Sequence, residues 1–86
     1  MKSRNVDFIK NDENICIGYN VRRLRLEKGI GQTQLVALLQ LKGVNITRQT
    51  LVKIEASTQH IKASQFKAIK EVLNCSYEDL LKEKEE

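Results

Sequence analysis

The chain has 86 residues, of which 41% are apolar and 30% charged, and it contains two Phe, two Tyr, no Trp and no Pro. This length suits one small domain with a single core and argues against a second domain, while the shortage of aromatic residues disfavours a β-sandwich and favours packed helices. No apolar run reaches the length of a membrane span and the first residues lack the apolar core of a secretory signal, so we expect a cytoplasmic protein with no membrane partner.

The net charge of +4 is unevenly distributed along the chain. Residues 1–76 carry 13 Lys or Arg against 6 Asp or Glu, whereas residues 77–86 carry 2 against 5. A basic body indicates a polyanionic partner, although many domains of this charge bind no polyanion. Charge alone therefore favours nucleic acid only modestly.

The residues that usually carry catalysis or bind metals are few and scattered. Cys16 and Cys75 are too few for a disulfide framework, and we expect buried thiols. A zinc site built from these two and His60 lacks a fourth ligand. Since His60 has no catalytic partner at a recognisable spacing and no glycine-rich phosphate loop is present, we expect no enzyme activity, no cofactor and no metal.

The first half of the chain begins with a polar segment and continues as helices. Residues 1–14 show no clear period and are predicted to form a mobile or loosely docked arm. A first helix follows from Ile15, because Ile17, Val21 and Leu24 recur at helical steps, and Gly29 ends it.

A second helix is predicted after Gly31, which serves as its N-cap, and extends to about Lys42. Its apolar face is predicted to consist of Leu35, Leu38, Leu39 and Leu41. A break at residues 43–45 precedes a third helix, for which the Thr47 hydroxyl is the predicted N-cap.

Two more helices complete the prediction. Ser64 is expected to cap the fourth, which Asn74 ends, and Ser76 with Asp79 resembles a capping box that opens the fifth. The pattern predicts an all-α domain of five short helices over residues 15–82, between the arm and a frayed acidic tail at residues 83–86.

The third helix carries an unusual set of outward residues. On a helical wheel Thr50, Leu51 and Ile54 share one side, and the other side is formed by Arg48, Gln49, Val52, Lys53 and Ala56. That second side has no carboxylate. Arginine can bind guanine and glutamine can bind adenine through paired hydrogen bonds, and Val52 can contact a thymine methyl. A plain solvated surface is the alternative interpretation of such a polar side.

Residues 17–81 resemble the Cro and phage-repressor family of helix-turn-helix proteins, also called the xenobiotic response element family. The similarity is carried in order by Leu24-Arg25 with Gly29, Ile30 and Gln32, by the stretch TRQTLVKIE at residues 47–55, and by VLNCSYEDLL at residues 72–81. The resemblance implies a compact five-helix lambda-repressor-like domain that binds double-stranded DNA as a homodimer and regulates transcription, most commonly as a repressor.

The resemblance also implies roles by position. The residues that would contact bases are Arg48, Gln49 and Lys53, with Val52 and Thr50 as lesser candidates. The residues that would bind backbone phosphate are Gln32 and Thr47, together with His60 and Lys62 in the loop after the third helix. Arg25 and Glu55 match a structural pair that joins the first helix to the end of the third.

Two departures from the family pattern leave an alternative open. The connection from the second to the third helix is longer than usual, with residues 40–46 between Leu39 and the Thr47 cap, and residues 56–60 lack the usual glycine and cations. A protein-binding module on the same fold, such as an antitoxin or antirepressor, is therefore the rival. Its docking surface would involve Val6, Phe8 and Ile9, or Tyr77, Leu80 and Leu81.

Overall fold

A computed structural model describes residues 8–9, 11–12 and 14–83. These residues form five helices, α1 (Ile17–Glu27), α2 (Gln32–Leu41), α3 (Arg48–Glu55), α4 (Ala63–Leu73) and α5 (Tyr77–Leu80), with two short strands, β1 (Phe8–Ile9) and β2 (Ile61–Lys62). The mostly helical class is thus confirmed. Within the described ranges, no helix is long and apolar enough to cross a membrane.

All five helices contribute to one apolar core. Its almost fully buried side chains include Ile17 and Val21 of α1, Leu35 of α2, Leu51 of α3 and Leu80 of α5. The predicted apolar face of α2 is wrong at Leu41, which is 84% exposed, because this residue points away from Leu35 and Leu39 at 100° per residue. Val36 is buried instead.

Three predicted helix ends are confirmed by their hydrogen bonds. The Thr47 hydroxyl accepts from the backbone N–H of Thr50 at 3.1 Å and caps α3. At α5 the Asp79 N–H donates to the Ser76 hydroxyl at 2.9 Å, and the Ser76 N–H donates to the Asp79 carboxylate at 3.1 Å. Asn74 ends α4 in the left-handed conformation, with φ 53°.

The predicted start of α4 is wrong by two residues. The N-cap is Lys62 rather than Ser64, so that Ser64 lies inside the first turn. The backbone N–H of Lys62 donates to the side-chain oxygen of Gln65 at 2.9 Å, and Gln65 is buried. A glutamine at the third helical position therefore satisfies the backbone here, which is half of a capping box.

The structure describes parts of the predicted arm and of the predicted tail. Phe8–Ile9 pairs antiparallel with Ile61–Lys62, and Ile9 is half-buried against the core. Ile15 forms an isolated bridge with Glu83, while residues 84–86 and Val6 lie outside the described residues. A strand of two residues is too short to show an alternating pattern, and its stability comes from a partner distant in sequence.

The long connection from α2 to α3 is tightly folded. α2 ends at Leu41, one residue before the predicted limit, and Gly43 takes a left-handed conformation with φ 84°. The Val44 N–H then donates back to the Leu39 carbonyl at 3.0 Å. The Gln40 side chain donates to the Ile46 carbonyl at 3.0 Å, and Ile46 is buried. The extra residues are thus fixed to the end of α2 and to the core.

Candidate nucleic-acid interface

The structure divides α3 into a buried and an exposed side, as its wheel indicates. Leu51 and Ile54 are buried, Thr50 is half-buried, and the remaining polar and small residues face outward. We call the exposed set the outer face; it consists of Arg48, Gln49, Val52, Lys53 and Ala56. Val52 is 38% exposed, which leaves its methyl groups accessible between the polar side chains.

The two threonines at the start of α3 are already engaged with each other. The Thr47 hydroxyl donates to the Thr50 hydroxyl at 3.1 Å in addition to accepting from the Thr50 N–H. Thr47 is exposed, so it lies at the surface beside Arg48 and Gln49. The Thr50 hydroxyl retains its own proton and one lone pair for a further partner.

α1 and α3 approach each other closely at Gly18. A Cβ added to this buried glycine would overlap the backbone carbonyl of Ile54. Only glycine permits the two backbones to touch in this way. The position of α3 relative to the body therefore depends on a missing side chain in α1, and the sequence pattern did not single this residue out.

A buried ion pair joins the same two helices. Arg25 donates from Nε to one oxygen of the Glu55 carboxylate at 2.8 Å and from Nη2 to the other at 2.9 Å, and from Nη1 to the Ile30 carbonyl at 2.9 Å. Both side chains are less than 10% exposed. The hydrogen bonds to Glu55 raise the pKa of Arg25, against the opposing effect of burial. Such a two-point contact fixes orientation as well as distance.

Gln32, at the start of α2, adds a third helix to this pair. Its side-chain Nε2 donates to the Glu55 carboxylate at 3.0 Å. One of its two amide protons is thus used within the protein, and the other remains available for an external acceptor. We call Arg25, Glu55 and Gln32 the three-helix clasp, because they connect α1, α3 and α2 in that order.

The segment after α3 is shaped by a serine in an uncommon conformation. Ser57 has φ 64°, and the Thr58 N–H donates back to the Lys53 carbonyl at 2.9 Å, which closes the helix end. The Ser57 hydroxyl lies 2.7 Å from the Cys16 sulfur at the start of α1. His60 and Lys62, the predicted phosphate ligands of this segment, are both exposed.

Asn20 is a structural residue that the sequence pattern missed. It is 3% exposed in α1, and its Nδ2 donates to the carbonyls of Leu80 at 2.8 Å and Lys82 at 3.0 Å. It thereby attaches residues 80–82 to α1. In the sequence, Asn20 is a polar residue close to the apolar positions Ile17, Val21 and Leu24 of the helix. This pattern predicts burial only weakly, because most asparagines are exposed to solvent.

The candidate protein-binding surface around α5 is only partly exposed. Tyr77 and Leu81 are 41% and 38% exposed, whereas Leu80 is fully buried and unavailable to a partner.

Cys16 and Cys75 are free thiols, and burial raises the pKa of Cys75. In the part of the chain that the structure describes, no group of three or more His, Cys, Asp or Glu could hold a metal ion.

Comparison with known proteins gives no further guidance. No family model, no curated protein and no solved structure matches the chain. A function must therefore be inferred from the residues themselves and from the geometry of α1, α2 and α3.

Proposed function

We propose that this protein is a sequence-specific double-stranded DNA-binding transcriptional regulator that acts as a repressor. It has a lambda-repressor-like helix-turn-helix fold and inserts α3 into the major groove as a homodimer. The observation that carries the proposal is the outer face of α3, where two cations and an amide are exposed together. The single acid of the helix, Glu55, is buried and paired.

The chemistry of the outer face suits base edges. Arg48 can donate two hydrogen bonds to guanine, Gln49 can pair with adenine, and Lys53 can donate to a guanine acceptor. Val52 suits a thymine methyl, and Ala56 is small enough to permit close approach of the helix. With Glu55 turned inward, α3 presents no carboxylate that would repel phosphate as the helix enters the groove.

The body of the domain supports this use of α3 in two ways. The Gly18 contact and the three-helix clasp fix α3 relative to α1 and α2, so that little orientational freedom is lost on binding. Gln32 opens α2, where backbone N–H groups and its second amide proton can bind a phosphate. Lys62, His60 and Thr47 are the further candidates for phosphate contacts, and all three are exposed. Thr47 must turn its hydroxyl proton away from Thr50 to donate to a phosphate.

In a homodimer, two copies of α3 would read half-sites about 34 Å apart. The protein-binding alternative, an antitoxin or antirepressor on the same fold, is supported by the exposed apolar side chains of Tyr77 in α5 and of Leu81 at its C-cap. The same side chains also suit homodimerisation, so DNA binding itself is the property that separates the two functions.

The test begins with selection of a binding site from a random duplex library, followed by fluorescence anisotropy with the selected duplex and a scrambled one. We expect Arg48→Ala or Gln49→Ala to weaken specific binding about 5- to 150-fold, the equivalent of 1–3 kcal/mol per base contact, with unchanged binding to the scrambled duplex. Lys67→Ala, which removes an exposed cation of α4, is the control and should change neither.

Two results would contradict the proposal. If both α3 variants bound the selected duplex as tightly as the original protein, α3 would not be the reading helix. If no duplex were enriched at all, the protein-binding alternative would take precedence, and a search for a protein partner would follow.

A further inference from the structure

α1 runs beside the last turn of α3 and contacts it at two points along its length. Gly18 lies against the backbone of Ile54, and Arg25 binds Glu55 seven residues later in α1. These two contacts define a seam between the helices. Any exposed residue of α1 that borders this seam therefore lies beside α3.

Arg22 is such a residue. It lies four residues after Gly18 and three before Arg25, which places all three on one side of α1. Gly18 and Arg25 are buried, whereas Arg22 is exposed and so lies at the solvent border of the seam. On the α3 side of the seam, Val52 lies about one helical turn before Glu55. It is exposed and belongs to the outer face.

Arg22 also differs from its neighbour in its interactions. Arg23 donates to the Glu27 carboxylate at 3.1 Å and to the Asp79 carbonyl at 3.4 Å, on the side of α1 that faces α5. Across residues 8–9, 11–12 and 14–83, Arg22 forms no hydrogen bond or ion pair. Among the residues that the structure describes, this guanidinium thus has no acidic partner, and it borders the seam on which the outer face lies, where it would attract an anion.

We propose that Arg22 binds a backbone phosphate at the edge of the major groove that α3 enters. This inference rests on the proposed function. Packed helices lie about 8–10 Å apart, and the major groove is about 12 Å wide. With α3 in the groove, α1 therefore lies over one wall, where the phosphates are, and an arginine can bind a phosphate through two parallel hydrogen bonds. α1 thereby joins α2 and α3 in the interface.

The test compares two adjacent arginines by salt titration of binding to the selected duplex and to its scrambled form. Arg22→Gln should reduce the slope of log affinity against log salt by about 0.9 for each half-site and weaken both duplexes by the same factor, about eightfold per contact at 0.1 M salt. Arg23→Gln, the control, should leave the slope unchanged. Arg22→Lys should retain most of the slope, because it keeps the cation.

The outcomes separate this inference from the proposed function. If the original protein binds the selected duplex and Arg22→Gln has the same slope, Arg22 does not bind phosphate, while DNA binding stands. If Arg22→Gln weakens only the selected duplex, Arg22 reads a base and the phosphate assignment is overturned. If the original protein binds no duplex, both fail. Unchanged circular dichroism and thermal unfolding of Arg22→Gln would show that the fold is intact.

Discussion

Glu55 is a charged residue that is buried against its hydrogen-bond partners. Burying a carboxylate costs several kcal/mol unless its oxygens are satisfied. Here Arg25 and Gln32 together donate three hydrogen bonds to the two oxygens. The charge is compensated within the protein, and the outer face of α3 stays free of acid. The same residue thus contributes to the orientation of α3 and to its electrostatics.

Gly18 gives a sharp prediction at the same scale. Gly18→Ala should lower the free energy of unfolding by at least about 2 kcal/mol, because the new methyl group must displace the Ile54 carbonyl or push α3 away from α1. Alanine is normally the better helix former by about 1 kcal/mol, so propensity alone predicts the opposite sign. Urea unfolding followed by circular dichroism measures the change.

Gly31→Ala is the matched control for this substitution. Gly31 caps α2, and a Cβ there would meet nothing within 4 Å. Because alanine is a poorer N-cap than glycine, we expect a loss of about 0.5–1 kcal/mol, smaller than the loss for Gly18→Ala. Equal stability of Gly18→Ala and the original protein would show that α1 and α3 can separate without cost.

At the scale of the element, helix ends were predictable where the signal was local. Thr47 and Ser76 accept from backbone N–H groups three residues later, so sequence spacing alone predicts them. The sequence places the start of α4 two residues too late because serine is the better N-cap by type, whereas the structure begins the helix where the Gln65 side chain accepts from the Lys62 N–H. β1 was missed because its partner, β2, is more than fifty residues away in the sequence.

The capping box of α5 makes stability depend on pH. Hydrogen bonds from the backbone and hydroxyl of Ser76 hold the pKa of Asp79 below its ordinary value of 3.8. Since this pKa is lower in the folded than in the unfolded chain, ionised Asp79 stabilises the fold above about pH 3.8, and this contribution is lost as the pH falls through the folded-state pKa.

Asp79→Ala should therefore be less stable than the original protein at pH 7, and the difference should narrow towards pH 3. Urea unfolding at both pH values tests this expectation. Glu78→Ala removes the adjacent carboxylate, which lies outside the capping box, and should cost less at pH 7. A difference for Asp79→Ala that is the same at both pH values would rule out the carboxylate as its cause.

For the whole molecule, the wheel predicted which side of α3 is exposed, because burial follows periodicity. The contacts that place α3 on the body were not predictable in the same way. The Arg25–Glu55 pair was suggested only by family resemblance, and Gly18 and Asn20 only by the structure. Helix crossings depend on the shapes of surfaces that are distant in sequence, and a single chain carries no direct record of them.

The N-terminal strand should contribute to the stability of the whole domain. A chain that begins at Asn11 loses β1 and uncovers part of Ile61, which is 2% exposed in the full chain. We expect a loss of about 1–2 kcal/mol, the value of burying roughly one aliphatic side chain. Thermal unfolding of this chain and of one that begins at Phe8 and keeps β1 provides the comparison. Equal loss in both would contradict a specific role for β1.

The bridge between Ile15 and Glu83 brings the two ends of the folded body to neighbouring positions. Asn20 reinforces this arrangement through the carbonyls of Leu80 and Lys82. A polypeptide attached before residue 15 and another attached after residue 83 would leave the domain side by side. Domains with adjacent ends tolerate circular permutation and insertion into the loops of other proteins. We therefore expect residues 15–83 to fold when inserted into a loop of another protein, with both junctions at one point on the surface, although with lower stability than the full chain because β1 is lost.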